Sequence, residues 1–243
     1  MKDAWYSTWF DTDYYHMLYR HRDEEEAKTF LLRMHEQFGW KDIKVLDAGC
    51  GRGRHASILA DLGLETTGID LSHRNIEEAK KLENDKLNFV QGDIRTSLPH
   101  AHFDLVLNLF TSFGYDEDDA ANLEFLKAMI SALKPGGMLL VDFLNAERIK
   151  QENQEPKWHT EWHNGVCFRW RKSLDDKFIR KEIVVEDNGN RLEFMESVRL
   201  YSRQDFAEMS ESAGAKLVAC FGDYTFADFN AQNAERLILC LQP

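Results

Sequence analysis

The distribution of apolar and polar residues follows three patterns along the chain. From residue 43, short apolar runs alternate with stretches whose apolar residues lie three or four positions apart, which is typical of strands alternating with helices. The predicted strands are 43–47, 65–70, 87–91, 103–109 and 137–144. The predicted helices between them are roughly 54–62, 73–82 and 118–133. Such alternation predicts a parallel sheet covered by helices on both faces.

Two other patterns flank or interrupt this core. Residues 1–39 are rich in aromatic and charged residues, and the apolar spacing around Phe30 and Met34 predicts one or two helices. Between 157 and 201 the period becomes two. Three strands joined by short polar turns are predicted there as an antiparallel meander: 166–172, 178–185 and 191–201.

The C-terminal segment returns to the first pattern. Ser202 is predicted to cap a helix over 203–213, and strands 216–221 and 235–241 complete a mixed sheet with an antiparallel edge. The organisation predicted from these patterns has three parts: an N-terminal helical lid at 1–39, a core at 40–150 and 202–243, and a β-cap insertion at 151–201.

Three glycines on alternate positions follow the first predicted strand. Gly49, Gly51 and Gly53 allow the backbone to approach a ligand closely, and the helix behind them supplies free N–H groups. Asp70, at the end of the second predicted strand, is placed to bind a ribose. These residues predict a unit that binds a nucleoside.

The glycine spacing and a nearby acid indicate which nucleoside. The dinucleotide pattern G-x-G-x-x-G would need glycine at position 54, which is Arg54. Asp47, two residues before Gly49, would repel a pyrophosphate and attract an ammonium group. Acid-x-G-x-G-x-G with a later acid resembles the class I S-adenosylmethionine (SAM)-dependent methyltransferases.

Further segments match this family in order. Gly92-Asp93 ends the third predicted strand, 103–109 forms the fourth, and Leu133-Lys134-Pro135-Gly136-Gly137 precedes the fifth, so that the resemblance covers 43–145 and 203–241. It implies an α/β fold with a Rossmann-like, seven-stranded, mostly parallel sheet, helices on both faces, an N-terminal helical lid and an antiparallel β insertion. The insertion, with residues 110–115 and Tyr15-x-x-x-Tyr19, resembles amino-sugar N-methyltransferases with a β-cap.

The resemblance also implies residue roles. Asp47 would bind the cofactor's ammonium, Asp70 its ribose hydroxyls and Asp93 its adenine amino group, while Leu71 and Ile94 would contact the adenine. Each acid has a structural alternative, because strand-end acids also cap turns and helices. The cofactor-binding residues implied are Tyr19, Arg22, Asp47, Gly49, Cys50, Gly51, Asp70, Leu71, Gly92, Asp93, Ile94 and Asn108.

The residues that follow the loop and those near the acceptor are less defined. Arg52 and Arg54 are expected to be surface residues where the helix begins and His55 a partly buried helix residue, or one of the three to bind the cofactor's carboxylate. No catalytic residue is assigned, because in-line methyl transfer depends mainly on alignment and does not require a general base. The candidates for the acceptor pocket are Tyr15, Tyr19, Asn108, Phe110, Ser112, Tyr115 and Arg199, with Trp158, His159 and His163 from the cap.

Composition narrows the class of partner. A formal charge of −12 without a run of Lys or Arg disfavours nucleic acid, and four scattered cysteines predict no metal site or disulfide framework. Without a signal peptide or an apolar stretch of membrane-spanning length, we expect a cytoplasmic protein that does not contact membranes. We further expect a monomer or homodimer acting on a small molecule, on either nitrogen or oxygen.

Three alternatives remain open from the residues alone. An NAD-type oxidoreductase is disfavoured by the glycine spacing, and aminopropyl transfer from decarboxylated SAM is disfavoured by Asp47. A non-catalytic protein that binds SAM would carry the same cofactor motifs.

Overall fold

The computed structural model describes residues 5–20, 24–152 and 155–243. Its larger sheet has seven strands in the order β10-β11-β5-β4-β1-β2-β3. Their bounds are β1 Lys44–Ala48, β2 Glu65–Asp70, β3 Leu87–Gln91, β4 Phe103–Asn108, β5 Leu133–Leu144, β10 Lys216–Phe221 and β11 Arg236–Gln242. The strands β1 to β5 are parallel, and β11 runs antiparallel to both of its neighbours, β5 and β10, which confirms the predicted mixed sheet with an antiparallel edge.

Helices cover both faces of this sheet. A short 3₁₀ helix, Lys80–Leu82, extends the helix His73–Ala79, so that the two together match the predicted helix 73–82. The helices are α1 Trp5–Trp9, α2 Asp13–Leu18, α3 Glu24–Phe38, α4 Arg54–Asp61, α5 His73–Ala79, α6 Ile94–Ser97, α7 Asp119–Ser131, α8 Ala146–Glu152 and α9 Arg203–Ser212.

The centre of the sheet is apolar on both faces. Val45 and Leu46 of β1 pair with Leu105 and Val106 of β4, and all four side chains are buried. Continuous apolar runs of this kind are typical of parallel strands covered on both faces. The carboxyl ends of β1, β2, β3 and β4 therefore meet at one edge, where ligands bind in such sheets.

The β-cap has four strands rather than the three predicted. They are β6 His159–His163, β7 Val166–Leu174, β8 Phe178–Asp187 and β9 Asn190–Arg199, paired antiparallel in that order. The prediction missed β6 because its sequence, HTEWH, is mainly polar and lies at the sheet's edge. Pairing with β7, rather than its own apolar content, makes this segment a strand.

The N-terminal region forms three helices, where one or two were expected. Helices α1 and α2 pack against the cap, where Trp9 and Leu18 share an apolar cluster with Phe168 and Ile183. Helix α3 instead packs on the larger sheet, with Phe30 among its buried contacts. The boundary of the lid at residue 39 stays a prediction, and these contacts favour placing α3 with the core.

Candidate active site

The carboxyl ends of β1 to β4 border a cavity of about 600 Å³, which α1 and α2 cover. Most of the residues predicted for the cofactor and the acceptor line this cavity. They are Tyr15, Tyr19, Asp47, Gly49, Cys50, Gly51, Asp70, Leu71, Gly92, Asp93, Ile94, Phe110, Ser112 and Tyr115, joined by Arg52, Arg54 and His55.

The glycines between β1 and α4 serve different purposes. Gly49, Gly51 and Gly53 all have positive φ angles, of 83°, 54° and 84°. A Cβ added at Gly51, which lines the cavity, would meet nothing within 4 Å, whereas one at Gly53 would lie 2.4 Å from Cζ of Phe89. Gly51 therefore leaves space for a ligand, and Gly53 allows α4 to pack against β3.

Two backbone N–H groups orient the carboxylate of Asp70 at the edge of the cavity. Its Oδ2 accepts a hydrogen bond from the N–H of Gly51 at 2.8 Å, and its Oδ1 accepts one from the N–H of Ser72 at 2.8 Å. Burial raises its pKa, although these two bonds oppose the shift. The carboxylate can still accept from ligand hydroxyls, because each oxygen has a second lone pair.

Asp47 is a buried carboxyl group with an unmet bonding capacity. It accepts from the N–H of Ala56, but its Oδ2 has no hydrogen-bond partner among the described residues. Burial, followed by repulsion from Asp70, raises the pKa of Asp47 to about 7. A ligand ammonium group would supply both the missing donor and the missing positive charge. The hydrogen-bonding groups of this loop thus fit the methionyl part of SAM.

The adenine side of the cavity is formed after β2 and β3. Leu71 is 44% exposed, which leaves an apolar surface open at the cavity's edge, and Ile94 is buried nearby as part of the lining. Asp93 caps α6 by accepting from the N–H of Arg95 at 2.9 Å, and it also accepts from the guanidinium Nη2 of Arg95 at 2.7 Å. The Arg95 side chain lowers the pKa of Asp93. An adenine amino group would therefore share this carboxylate with Arg95.

Five aromatic side chains from the lid and the turn after β4 also line the cavity, and we call this group the aromatic chamber: Tyr6, Phe10, Tyr15, Phe110 and Tyr115. The rings of Tyr6 and Tyr115 stack with centroids 5.8 Å apart, and those of Phe10 and Tyr15 meet edge to face at 4.8 Å. The hydroxyl of Tyr115 donates to the carbonyl of Thr111. An amine or a flat apolar group could bind against the ring surfaces that border the cavity.

Tyr19 lines the cavity, but its hydroxyl is held by the cap. It donates to the carboxylate of Glu196, with Oε1 at 2.7 Å, and accepts from Nζ of Lys181 at 2.8 Å. The Lys181 ammonium lies 4.6 Å from the ring centroids of both Tyr19 and Trp170. Trp9 also donates to Glu196, at 2.7 Å. These contacts fasten the lid to the cap.

Exposed ion pairs connect the same lid to the core. Asp13 pairs with Arg52 at 3.2 Å and also with Arg74. The hydroxyl of Ser72, next to Asp70, donates to Asp11 at 2.5 Å. Arg52 therefore contacts the lid from its position within the glycine loop.

His55 is buried in α4, where a partly buried helix position was expected. Burial lowers its pKa to about 3, and the ring stacks on Phe110 with centroids 4.9 Å apart. The Arg54 guanidinium lies 5.0 Å from the Phe110 centroid and thus also borders the aromatic chamber. Cys50 is buried at the loop, and burial raises the pKa of its thiol, which stays protonated at neutral pH.

Several predicted residues lie elsewhere. Asn108 does not line the cavity, because its amide is buried and donates to the carbonyls of Ala48 and Ser112. Arg199 pairs with Asp119 at 2.9 Å outside the lining.

The cap candidates and one cofactor candidate are also absent from the cavity's lining. Trp158 lies 4.9 Å from the Arg171 guanidinium, His159 stacks on Trp170 at 4.1 Å, and His163 pairs with Glu161. The sequence placed them near the acceptor because the insertion was expected to cover it, whereas the nearest cover is the lid. Arg22 lies outside the described residues.

Some lining residues were not predicted as site residues. Arg95 and Asp116, both in the lining, form an ion pair at 3.5 Å, and Asp11, His16 and Asn75 lie where α5 meets the lid. Arg95 could have been noticed, because it follows Asp93 by two positions and pairs with it. Asp116 depends on its pairing with Arg95, 21 positions away, and Asp11, His16 and Asn75 depend on contacts between the lid and α5, none of which a local pattern indicates.

Comparisons with known proteins agree with this geometry. Residues 45–137 match the sequence family described as "Methyltransferase domain". A candidate methyltransferase of Bacillus subtilis, YqeM, is 26% identical and aligns over 82% of this chain and 83% of its own. Malonyl-[acyl-carrier protein] O-methyltransferase of Enterobacter lignolyticus is 33% identical over 54% of this chain, which spans about half (51%) of that protein's length.

A solved structure extends the comparison to the whole fold. SAM-bound CalS10 of Micromonospora echinaspora, an amino pentose methyltransferase, aligns over 95% of this chain and 97% of its own, with a TM-score of 0.69 and 21% identity. These findings confirm the predicted Rossmann-like methyltransferase fold, and residues 45–137 match a methyltransferase domain. Within the described ranges, no helix has the length and apolar character needed to cross a membrane.

Proposed function

We propose that this methyltransferase moves the methyl group of SAM to the nitrogen of a small-molecule amine bound in the aromatic chamber. The observation that carries the proposal is the pairing of two half-sites in one cavity. One half presents Asp47, Gly51 and Asp70, and the other presents five aromatic rings. Each half faces a different part of the same space.

The cofactor half is formed by groups that suit SAM. Asp47 would accept from its ammonium, Asp70 from its ribose hydroxyls, and the open space at Gly51 would hold its carboxylate end. When bound, the cofactor supplies a sulfonium-linked methyl group that a nucleophile can displace in line. The protein's contribution is to orient the acceptor and to exclude water.

The residues near the aromatic chamber favour nitrogen over oxygen as the acceptor atom. An aliphatic hydroxyl needs a base, because it is not nucleophilic enough at neutral pH. Burial lowers the pKa of His55 to about 3 and also lowers the pKa of His16, whose Nε2 lies 3.0 Å from Oδ1 of Asn75. Neither histidine is a good base near pH 7, whereas an amine can lose its proton to solvent before it binds.

The aromatic rings add a second reason. An amine that arrives protonated is attracted to the faces of Tyr and Phe rings, and it becomes the nucleophile once its proton has passed to solvent. The sugar amine named for CalS10 belongs to this chemical class. The acceptor is thus proposed as a small amine, with amino sugars the first group to examine. Cytoplasmic location and a monomeric or dimeric state are proposed with it.

The test is a transfer assay with matched acceptors. Purified protein is incubated with SAM carrying a labelled methyl group and with amine and hydroxyl versions of the same sugars and aromatic compounds. We expect S-adenosylhomocysteine (SAH) and a nitrogen-methylated product with amines alone. Turnover only with hydroxyl compounds would overturn the choice of nitrogen. Tight SAH binding without transfer to any compound would favour a non-catalytic SAM-binding protein.

A further inference from the structure

We propose that Asp142 and Arg236 are positioning residues, which hold the turn after β4 in a strained conformation so that it forms the acceptor side of the cavity. The inference deepens the proposed function and rests on it, because the turn affects transfer only if the acceptor binds against it. Asp142 lies on β5 and Arg236 begins β11, two neighbouring antiparallel strands.

The turn has two consecutive residues in the left-handed region. Phe110 has φ 53° and Thr111 has φ 64°, and neither is glycine. This region is unfavourable for bulky residues and especially for a β-branched residue such as threonine. Such strain persists only where the surrounding structure enforces it, and it is concentrated at functional sites.

Asp142 supplies that enforcement from a buried position. Its side chain is fully buried, and its Oδ2 accepts from the N–H of Phe110 at 2.9 Å. Its carbonyl accepts from the N–H of Thr111 at 3.0 Å, so both strained residues donate to one amino acid. The hydroxyl of Tyr224 also donates to Oδ2, at 3.0 Å.

Arg236 connects the carboxylate to the second strained residue. Its Nε donates to Oδ1 of Asp142 at 2.7 Å, and its Nη2 donates to the Thr111 hydroxyl at 2.8 Å. The guanidinium of Arg236 thus neutralises the buried carboxylate of Asp142, where an uncompensated charge would be costly. Together the two side chains contact both residues of the turn.

The turn after β4 also shapes the aromatic chamber. Its Phe110 ring lines the cavity and stacks on His55, and its Thr111 carbonyl accepts from Tyr115. Tyr115 contacts the lid, because its carbonyl accepts from Nε1 of Trp5 at 3.4 Å. None of these contacts involves Asp47, Gly51 or Asp70, so loss of Asp142 should disturb the acceptor side and spare the cofactor side.

Asp142→Asn is the direct test, and Asp104→Asn is its matched control. Asp104 lies near the start of β4 and makes the same two kinds of contact. It accepts from the backbone N–H of Lys44 at 2.9 Å and from the ammonium of Lys134 at 2.7 Å. Hydrogen exchange of the peptide 109–116 should become at least tenfold faster in Asp142→Asn and stay unchanged in Asp104→Asn. SAH affinity, measured by calorimetry, should stay within threefold in both.

Kinetics with an amine acceptor provide the functional readout. In Asp142→Asn, kcat/KM for the acceptor should fall at least tenfold while KM for SAM stays within threefold. Adding Thr111→Gly should recover part of this loss, because glycine adopts the left-handed region without a Cβ clash. The gain should be larger in the Asp142→Asn background than in the wild type, which a merely structural role of Asp142 would not produce.

Tyr224→Phe keeps the proposal falsifiable if Asp142→Asn does not fold. It removes one donor to Asp142 and should speed exchange in 109–116 by a smaller factor in the same direction. Unchanged exchange in the folded variants, or an equal loss of SAH affinity and acceptor kinetics, would overturn the proposal. If the wild type binds SAH but methylates no amine, the proposed function fails, while the exchange comparison still decides whether Asp142 holds the turn.

Discussion

The two halves of the cavity differ in the parts of the chain that form them. On the cofactor side, the groups that face the ligand are backbone turns and strand-end acids that lie within residues 47–94. On the acceptor side, they are side chains of the lid and the β4 turn, held by contacts across long stretches of chain. Trp5 contacts Tyr115 over 110 residues, and Tyr19 contacts Glu196 over 177. The cofactor half is therefore set locally and the acceptor half by the tertiary fold.

This difference predicts how each half responds to substitution. Changes on the cofactor side should act through single hydrogen bonds or a single Cβ, with large and specific losses of SAH affinity. Changes in the lid should be smaller when the contact is exposed to solvent, because water and salt weaken exposed ion pairs.

Asp70→Ala should produce the largest effect. It removes the acceptor of the Gly51 and Ser72 N–H bonds and of the ribose hydroxyls, so SAH affinity should fall at least about 100-fold, since hydrogen bonds to charged groups contribute roughly 1.5–3 kcal/mol each. Calorimetry measures the loss. Asp223→Ala is the control, because Asp223 accepts from the N–H of Thr225 at 2.7 Å in a turn outside the cavity. A loss below threefold would remove Asp70 from the site.

Gly51→Ala should mainly affect ligand binding, whereas Gly53→Ala should mainly affect the stability of the fold. Both introduce a Cβ at a positive φ, which costs roughly 1–2 kcal/mol. Gly51→Ala should lower SAH affinity by about 10- to 100-fold, since the space next to Gly51 is open to the ligand. Gly53→Ala should mainly lower the melting temperature, because its Cβ would clash with Phe89. Paired calorimetry and thermal melts test this, and the reverse pattern would contradict it.

SAH affinity should depend on pH through Asp47. Its pKa in the free protein is raised to about 7, and a bound ammonium favours the ionised carboxylate, so binding below pH 7 releases a proton. Affinity should weaken by up to about tenfold per pH unit as the pH falls from 7. Calorimetry at pH 6 and pH 8, in buffers of different ionisation enthalpy, measures both effects. Asp47→Asn should abolish the pH dependence, and an unchanged slope in that variant would point to another group.

The same shift affects the stability of the free protein. Because the folded pKa of Asp47 lies above its ordinary value of 3.8, the native state binds more protons between about pH 3.8 and 7. The stability from this group is fully present below pH 3.8 and is lost as the pH rises through 7. Chemical denaturation of wild type and Asp47→Asn across this window should show the difference.

Asp13→Asn should have the smallest effect. The Asp13 pairs with Arg52 and Arg74 are exposed, and such pairs contribute about 0–1 kcal/mol. SAH affinity should change less than threefold at low salt, and the difference should disappear at high salt. Glu196→Gln, which disturbs the bonds to Trp9 and Tyr19 in the cap, should lower the melting temperature more. Equal effects of the two substitutions would contradict the contrast between the exposed and the buried attachment of the lid.

The sequence was most informative where function depends on backbone conformation. Alternate glycines and strand-end acids pointed to residues that line the cavity, because their spacing reflects a single strand–turn–helix unit. Residues 43–145 also showed the period that determines the parallel sheet. The seven-stranded sheet and its antiparallel edge were predicted for the same reason.

The acceptor side could not be predicted to the same depth. Asp142 is an ordinary strand residue in the sequence, and only the pairing of β5 with β11 brings Arg236 next to it. Arg199 looked suitable for an acceptor but pairs with Asp119, which lies 80 residues away. Strand β6 was missed because its partner, rather than its composition, stabilises it. Contacts of this kind follow from the finished fold.

The attachment of the lid to the cap has a consequence for synthesis on the ribosome. Trp9 and Tyr19 leave the ribosome before Glu196, which binds both side chains and is added 187 residues after Trp9. At typical elongation rates of about 5–20 residues per second, the aromatic lid waits roughly 10–40 seconds for its partner. During that interval its rings are available to chaperones. The nascent chain therefore completes its cofactor half before it can close its acceptor half.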